Sequence, residues 1–453
     1  MIKINRDLTV GNPGKVLISF TLPLFASVVF QQLYSIADSV IAGKYAGESA
    51  LAAVGASYPI TMIFMAIAFG CQIGCSVVIS RFFGAGKHRE VKNCITTSLI
   101  AGLVLSAVLT LFGVLGSPRL MKLVNTPDDI MNEGNLYLKI YTGGFIFLFI
   151  YNVVTGIFNS LGDSRTPLVF LIISSLGNIV LDAVFVIVFK WGVAGVAWAT
   201  FIAQGVSCLL SLAVLTARMK HIAEGEKPPV FSKSALKDIV SVAVPSVLQQ
   251  SFVSVGNMFI QSMVNSFGSS VIAGYSAAIK LNTFAVTSFS TFGNGISSFT
   301  AQNNGAGKLD RVKQGFKSGI IFTLCAAGIF TAVFLIFGRQ LLGLFMNDDS
   351  TELALETGMD FMKTVAPFYF TVATKLLCDG VLRGSESMKH FMAATFTDLI
   401  MRVVLAYILS RFMGALGIWN AWPVSWATAA VMSFVFYAKG VWIKQNQKPD
   451  IKV

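Results

Sequence analysis

The sequence predicts an all-α polytopic membrane protein of about twelve transmembrane helices, arranged as two parallel-repeat six-helix bundles. Three observations predict it. Of the 453 residues, 55% are hydrophobic and only 12% charged, whereas a soluble domain carries about 25% charged residues. Apolar runs of roughly 20 residues recur along the chain, the length a bilayer core demands. Their continuity excludes a barrel, whose strands alternate. Finally, the stretch Phe83–Lys92, Phe-Gly-Ala-Gly-Lys-His-Arg-Glu-Val-Lys, returns 221 positions later as Asn304–Lys313, Asn-Gly-Ala-Gly-Lys-Leu-Asp-Arg-Val-Lys. Both copies sit between apolar runs, so the chain is two related halves.

Hydropathy places the spans of the first half near 15–43, 49–79, 93–116, 135–160, 167–189 and 193–217. Those of the second fall near 237–264, 271–301, 316–338, 358–382, 391–412 and 416–441. The first run is too long for the core of a signal peptide and lacks a cleavage site. Alternate connections are basic: Lys3, Arg6 and Lys15; Arg81, Lys87, Arg89 and Lys92; Arg218, Lys220, Lys227, Lys233 and Lys237; Lys308, Arg311, Lys313 and Lys317; Lys439, Lys444, Lys448 and Lys452. The longest opposite loop, around Asp348, Asp349, Glu352 and Glu356, is acidic. The positive-inside rule then puts both termini and the repeated loop in the cytoplasm. The net charge of +12 is thus an orientation signal, and no nucleic-acid partner is expected.

The repeat extends past its loop. Pro23 matches Pro245 at an offset of 222, Gly156 matches Gly380 at 224, and Gly192 and Gly195 match Gly414 and Gly417 at 222. An even number of spans per half makes the repeat parallel. Residues 1–217 and 239–453 are the expected lobes, joined by a cytoplasmic linker at 218–238 that carries Pro228 and Pro229. Such a pair of bundles joined by a polar linker is a rocking transporter's architecture, with a purely structural duplication as the alternative.

Charge at bilayer depth costs several kcal/mol unless paired or hydrated, so each such residue is a functional candidate. At 1.5 Å per residue, Asp38 lies about 7 Å and Asp182 about 12 Å from the outer ends of their spans. Asn178 shares a helix face with Asp182, and Thr200 reaches a similar depth. Two carboxylates, an amide oxygen and a hydroxyl suit Na⁺, or a proton once desolvation raises a carboxylate. The competing reading is that each aspartate hydrogen-bonds a nearby hydroxyl and fixes packing. Pro23, four turns before Asp38, interrupts the backbone ladder and marks either a hinge or a static kink.

At an offset of 222, Val404 takes the place of Asp182 and Ile400 that of Asn178. The second half instead carries Lys280, Lys375 with Asp379, and Asp398 with Arg402. The last two pairs are spaced i,i+4 and read first as self-neutralised pairs. Alternatively they form the wall of a substrate cavity, with Gln31, Gln249 and Gln250 adding hydrogen-bonding capacity. The six cysteines show no metal spacing and read as small hydrophobes. Gly84-Ala-Gly-Lys lacks the Ser/Thr and the strand of a phosphate loop. No catalytic constellation or cofactor motif appears, so no enzyme is expected and the energy source is an ion gradient.

The chain resembles the multidrug and toxic compound extrusion (MATE) family over nearly its whole length. Pro23 with Asp38, Leu51-Ala-Ala-Val-Gly55, the twin Gly-Ala-Gly loops, Gly162-Asp-Ser-Arg-Thr-Pro167, Asn178 with Asp182, and Leu382-Arg-Gly384 carry the likeness. The resemblance implies alternating access and H⁺- or Na⁺-coupled export of small amphipathic, often cationic, drugs across the cell membrane, without a cofactor. It also implies an amino-lobe ion site at Asp38, Asn178, Asp182 and Thr200, with Tyr34 as a neighbour. Other members use a glutamate in the seventh span and an aspartate in the tenth. This chain departs there, with Gln249, Gln250 and Asp379. The rival readings are a flippase of a lipid-linked precursor, a membrane-embedded enzyme and a receptor-like scaffold; a monomer is expected.

Overall fold

The computed structural model describes residues 7–41, 45, 48–220, 230–346 and 351–444. Lys3, Arg6, His221, Lys227, Pro228, Pro229, Asp348, Asp349, Lys448 and Lys452 lie outside the described residues. The helices are α1 Pro13–Ile41, α2 Glu48–Gly84, α3 His88–Leu123, α4 Met131–Gly143, α5 Phe145–Ser160, α6 Arg165–Asp182 and α7 Val193–Met219. They continue as α8 Lys233–Asn265, α9 Ser269–Gly305, α10 Leu309–Gly343, α11 Glu352–Val365, α12 Tyr369–Gly384, α13 Met388–Met413, α14 Ala415–Ala438 and α15 Val441–Lys444. Among the described residues, ten helical stretches are long and apolar enough to cross a membrane, and the pair α4–α5, bent by 43°, is an eleventh. The twelfth expected span is α9, 37 residues long and rich in Ser, Thr and Asn. Its polar residues Ser297, Ser298, Thr300, Gln302 and Asn303 are buried in protein, where lipid does not meet them.

The chain forms two compact units: Leu22–Ser251 make up the body of unit 1, and Leu8–Thr21 with Phe252–Val453 make unit 2. The division falls inside two long helices, in α1 between Thr21 and Leu22, just before Pro23, and in α8 between Ser251 and Phe252, two turns after Pro245. The described part of the expected linker belongs to unit 1. There Ser232 donates its amide to Thr97 at 3.0 Å, and Asp238 pairs with Arg81 at 2.6 Å.

The repeated loop closes its helix in the same way twice. Gly86 and Gly307 adopt φ of 69° and 70°, a left-handed backbone that glycine enters without Cβ strain. Lys87 then donates to Phe82 and Gly86 to Phe83, as Lys308 donates to Asn303 and Gly307 to Asn304. Those two bonds satisfy carbonyls that a helix end leaves open. The second copy does more than turn. Gln302 accepts the Leu8 amide at 2.9 Å, Lys308 donates to the Thr9 carbonyl at 3.0 Å, and Arg311 donates to the Gly11 carbonyl at 2.7 Å. The segment leading into α1 is thereby fastened to the α9–α10 turn.

Unit 2 has an aromatic core in which Tyr275 stacks on Trp419 at 5.1 Å, and Phe361, Trp422, Trp426 and Tyr369 surround them. Helices α9 and α12 cross where glycines let backbones touch. A Cβ on Gly380 would stand 2.3 Å from the Gly293 carbonyl oxygen, and one on Gly293 would stand 2.6 Å from that of Leu376. The cysteines are mostly buried, but Cys325 is exposed on α10, so it is not a core residue as the sequence suggested.

Two outcomes follow. Gly380→Val should cost about 3 kcal/mol or more through overpacking, lowering the Tm of the detergent-solubilised protein. Gly177→Ala, where an added Cβ meets nothing within 4 Å, should melt like wild type. The second concerns Asp163, whose carboxylate accepts from the Thr166 amide at 3.0 Å and hydroxyl at 2.6 Å and pairs with Arg218. Burial alone would raise its carboxyl, but the hydrogen bonds from Thr166 and Arg218 and the guanidinium charge outweigh burial and hold it below the usual carboxylate range. Its stabilisation is therefore complete above the unfolded value of about 3.9 and is lost as pH falls through the folded one. Wild-type Tm should drop on acidification through that window by an increment that Asp163→Asn lacks.

Candidate functional site

Helix α6 brings Asn178 and Asp182 onto one face, four residues apart and thus one above the other. Asp182 is fully buried and Asn178 is 2% exposed. Both atoms of the Asn178 amide are buried without a hydrogen bond among the described residues. An amide left unsatisfied in a dry interior costs about 1–3 kcal/mol, a cost that regular helix packing does not require. Thr200 on α7 is half-buried and donates its hydroxyl to the Val196 carbonyl at 3.1 Å, which leaves its oxygen lone pairs open to a cation.

The helix changes character directly after Asp182. Ala183–Val188 form a π-helix, the wider turn that often marks functional positions. Val186 of this segment and Val196 of α7 share a buried apolar cluster with Ala50, Ala53 and Tyr137, and Ile41 packs on it. Ile41 ends α1 three residues after Asp38, so the ends of α1, α6 and α7 converge on one cluster. The Asp38 side chain itself lies outside the described residues. Tyr34 is half-buried on α1 and Gln31 is exposed. Pro23 is half-buried within a continuous helix, and Ser27 donates to its carbonyl at 3.0 Å.

Unit 2 corrects the register read from the sequence. The buried residues of α6 are Pro167, Phe170, Ser175, Asn178 and Asp182. An offset of 224 carries them onto Phe391, Ala394, Leu399, Arg402 and Ala406, all buried in α13. The offset of 222 carries Asn178 and Asp182 onto Ile400 and Val404, which are 61% and 48% exposed. The counterparts are therefore Arg402 and Ala406, not Ile400 and Val404. The offset returns to 222 at Gly192 and Gly414, with φ of 54° and 61°, because the connection between Val188 and Val193 is longer than the single Gly414 that separates α13 from α14. A shrinking offset between Gly156 and Gly192 was the signal, and the two residues it marks fall in the connection after Val188.

The other expected polar residues fall in three places. Lys375, Asp379 and Arg402 form one buried network with Asp398. Lys375 Nζ lies 3.0 Å from Asp379 and 3.8 Å from Asp398, and Arg402 reaches Asp398 at 2.7 Å. None exceeds 6% exposure, so they are closed on one another and do not form an open cavity wall. Lys280 is exposed with its ammonium 5.4 Å from the Phe345 ring centre, and Gln249 and Gln250 are half-buried on α8. No group of three His, Cys, Asp or Glu side chains suited to a metal ion occurs among the described residues.

A family model described as MatE matches residues 23–184 and 245–408. The chain is 26% identical over 437 residues to the probable multidrug resistance protein YpnP of Bacillus subtilis (strain 168), covering 96% of this chain and 97% of that protein. Its fold is similar to that of an outward-facing multidrug resistance MATE transporter, with a TM-score of 0.91, 23% identity and coverage of 99% and 100%. It is also similar to a MOP superfamily transporter from Pyrococcus furiosus, with a TM-score of 0.90, 23% identity and 98% of both chains covered.

The orphaned amide makes a prediction independent of transport. Asn178→Leu replaces an unsatisfied buried group by an apolar one of similar shape and should raise the stability of the purified protein by about 1–3 kcal/mol. A fall in the Tm of the purified variant would instead mark Asn178 as a packing residue.

Proposed function

The chain belongs to the MatE family, and from that premise we propose that it exports drugs from the cell in exchange for H⁺ or Na⁺. A family of multidrug efflux transporters makes it a multi-span membrane transporter and not an enzyme. The flippase alternative draws no support from these relatives. The observation that carries the ion-coupled reading is the buried Asn178 amide beside Asp182 at the start of the π-helix.

A carboxylate held in a low-dielectric interior disfavours its own charge. Binding of H⁺ or Na⁺ at Asp182 and Asp38 removes that penalty, and the Asn178 and Thr200 oxygens supply the remaining ligands for Na⁺. A state in which the site opens outward takes up the ion and releases the drug. Reorientation then delivers the ion to the cytoplasm, and the emptied site favours drug binding from inside. Coupling needs only that ion and drug prefer different members of one conformational equilibrium. Pro23 lies where the backbone ladder of α1 lacks one bond, so α1 is the element best able to bend as Asp38 changes charge. The drugs are small and amphipathic, the protein acts as a monomer, and both termini face the cytoplasm with the basic loops.

Reconstitution in proteoliposomes under separate pH and Na⁺ gradients tests this. Asp182→Asn and Asp38→Asn should each reduce gradient-driven export by about 5- to 150-fold, the range of a 1–3 kcal/mol coupling energy. Normal pumping by both variants would remove the amino-lobe site. Wild-type export that ignores both gradients would remove ion coupling itself.

A further inference from the structure

Unit 2 contains counterparts of the four positions that make the candidate ion site in unit 1. On the offset fixed by burial, Asn178 corresponds to Arg402 and Asp182 to Ala406. Thr200 corresponds to Trp422 at an offset of 222, because α7 and α14 keep the register set by Gly195 and Gly417. Pro23 and Pro245 give α1 and α8 that same register, so Asp38 corresponds to Ile260, which is fully buried in the aromatic core.

These positions are filled. The Arg402 guanidinium lies 4.4 Å from the Trp422 ring centre, a cation–π contact, and bonds Asp398 at 2.7 Å. Ser425 Oγ lies 3.5 Å from its Nε. Asp398 also faces the Lys375 ammonium, which bonds Asp379, and Asp379 accepts from Ser433 at 2.6 Å. Two cations and two carboxylates thus alternate across α12 and α13, each at least nine-tenths buried. Other ionisable groups that face the network are Tyr275, opposite Arg402 from α9, Cys378 beside Asp379 on α12, and Arg383, one turn beyond Asp379 and bonded to Asn294 at 2.6 Å.

We infer that Arg402 is a built-in cation: its guanidinium occupies unit 2's counterpart of the ion site and keeps that site permanently loaded. An exchangeable cation then binds in unit 1 alone, one site per chain. This rests on the reading of Asn178 and Asp182 as an ion site. The physical logic is local. A mobile cation can leave a carboxylate and change its cost, whereas a tethered one neutralises Asp398 in every state and cannot be exchanged.

The test reads cation binding instead of transport, so it stands apart from a failure of the antiport reading. The background is an Asp38→Asn/Asp182→Asn protein, in which the unit 1 site is silenced. Its Tm in detergent is followed against Na⁺, against low concentrations of guanidinium, and against pH. The background protein should show no saturable cation response. Adding Arg402→Ala should lower Tm and create a saturable recovery by guanidinium or Na⁺, or on protonation. Asp398→Asn placed on top should abolish that recovery, and Arg402→Lys should behave as the background does. An Arg402→Ala protein whose Tm responds to every cation and to pH only as the background protein does overturns the inference. So does a background protein that already shows a saturable response removed by Asp398→Asn. If Arg402→Ala does not accumulate, Lys375→Met leaves Asp379 and Asp398 short of the other tethered cation, and the same gain of response is required of it.

Discussion

The rest of the structure depends on how it meets the cost of charge in hydrocarbon. A buried carboxylate must be neutralised by something, and the two units use different partners. Unit 2 supplies its own, setting Lys375 and Arg402 against Asp379 and Asp398 within hydrogen-bonding or near-contact distance. Unit 1 buries Asp182 at the end of α6 beside an amide whose two polar atoms are both left over. The first solution is fixed for the life of the molecule. The second is suited to a partner that comes and goes.

Burial also dictates where backbone can leave the helix. The fourth span breaks at Gly144 and the tenth through Ala366–Phe368, a single 3₁₀ turn containing Pro367. Neither break exposes unpaired backbone, since Gly144 donates to the Ile140 and Tyr141 carbonyls. The π-helix after Asp182 widens the turn without breaking the ladder, and Phe189 closes it by donating to the Val184 carbonyl. Such a segment costs stability relative to regular α-helix. Its position beside the buried aspartate is therefore informative.

Much of the fold was legible in the sequence for a simple reason. Hydrocarbon enforces long apolar runs, and glycines with positive φ enforce the turns between them, so spans and repeat both leave strong marks. Gly86 and Gly307, or Gly192 and Gly414, are ends of helices that had to be glycine, and they align without ambiguity. The N-terminal clamp by Gln302, Lys308 and Arg311 was not legible. Their partners are backbone atoms of Leu8, Thr9 and Gly11, which carry no side-chain signature. The candidate site was half legible. Asn178 and Asp182 stand out as polar residues in an apolar run, but their counterparts in unit 2 were misread by two positions.

That misreading shows why a duplicated scaffold can host an unduplicated site. Two residues are one-half turn of a helix, enough to exchange the lipid face for the protein face. Laid out at the offset of the flanking glycines, α13 offers only Ile400 and Val404, and unit 2 looks as though it had lost polarity. Laid out by burial, it offers Arg402 over Trp422 with Asp398 one turn away. At the position of Asn178 a neutral amide is thus replaced by a tethered cation, and at that of Asp182 the carboxylate is replaced by Ala406. On the proposed antiport reading, the asymmetry leaves the exchangeable charge in unit 1, while the guanidinium of unit 2 stays with Asp398 in every state.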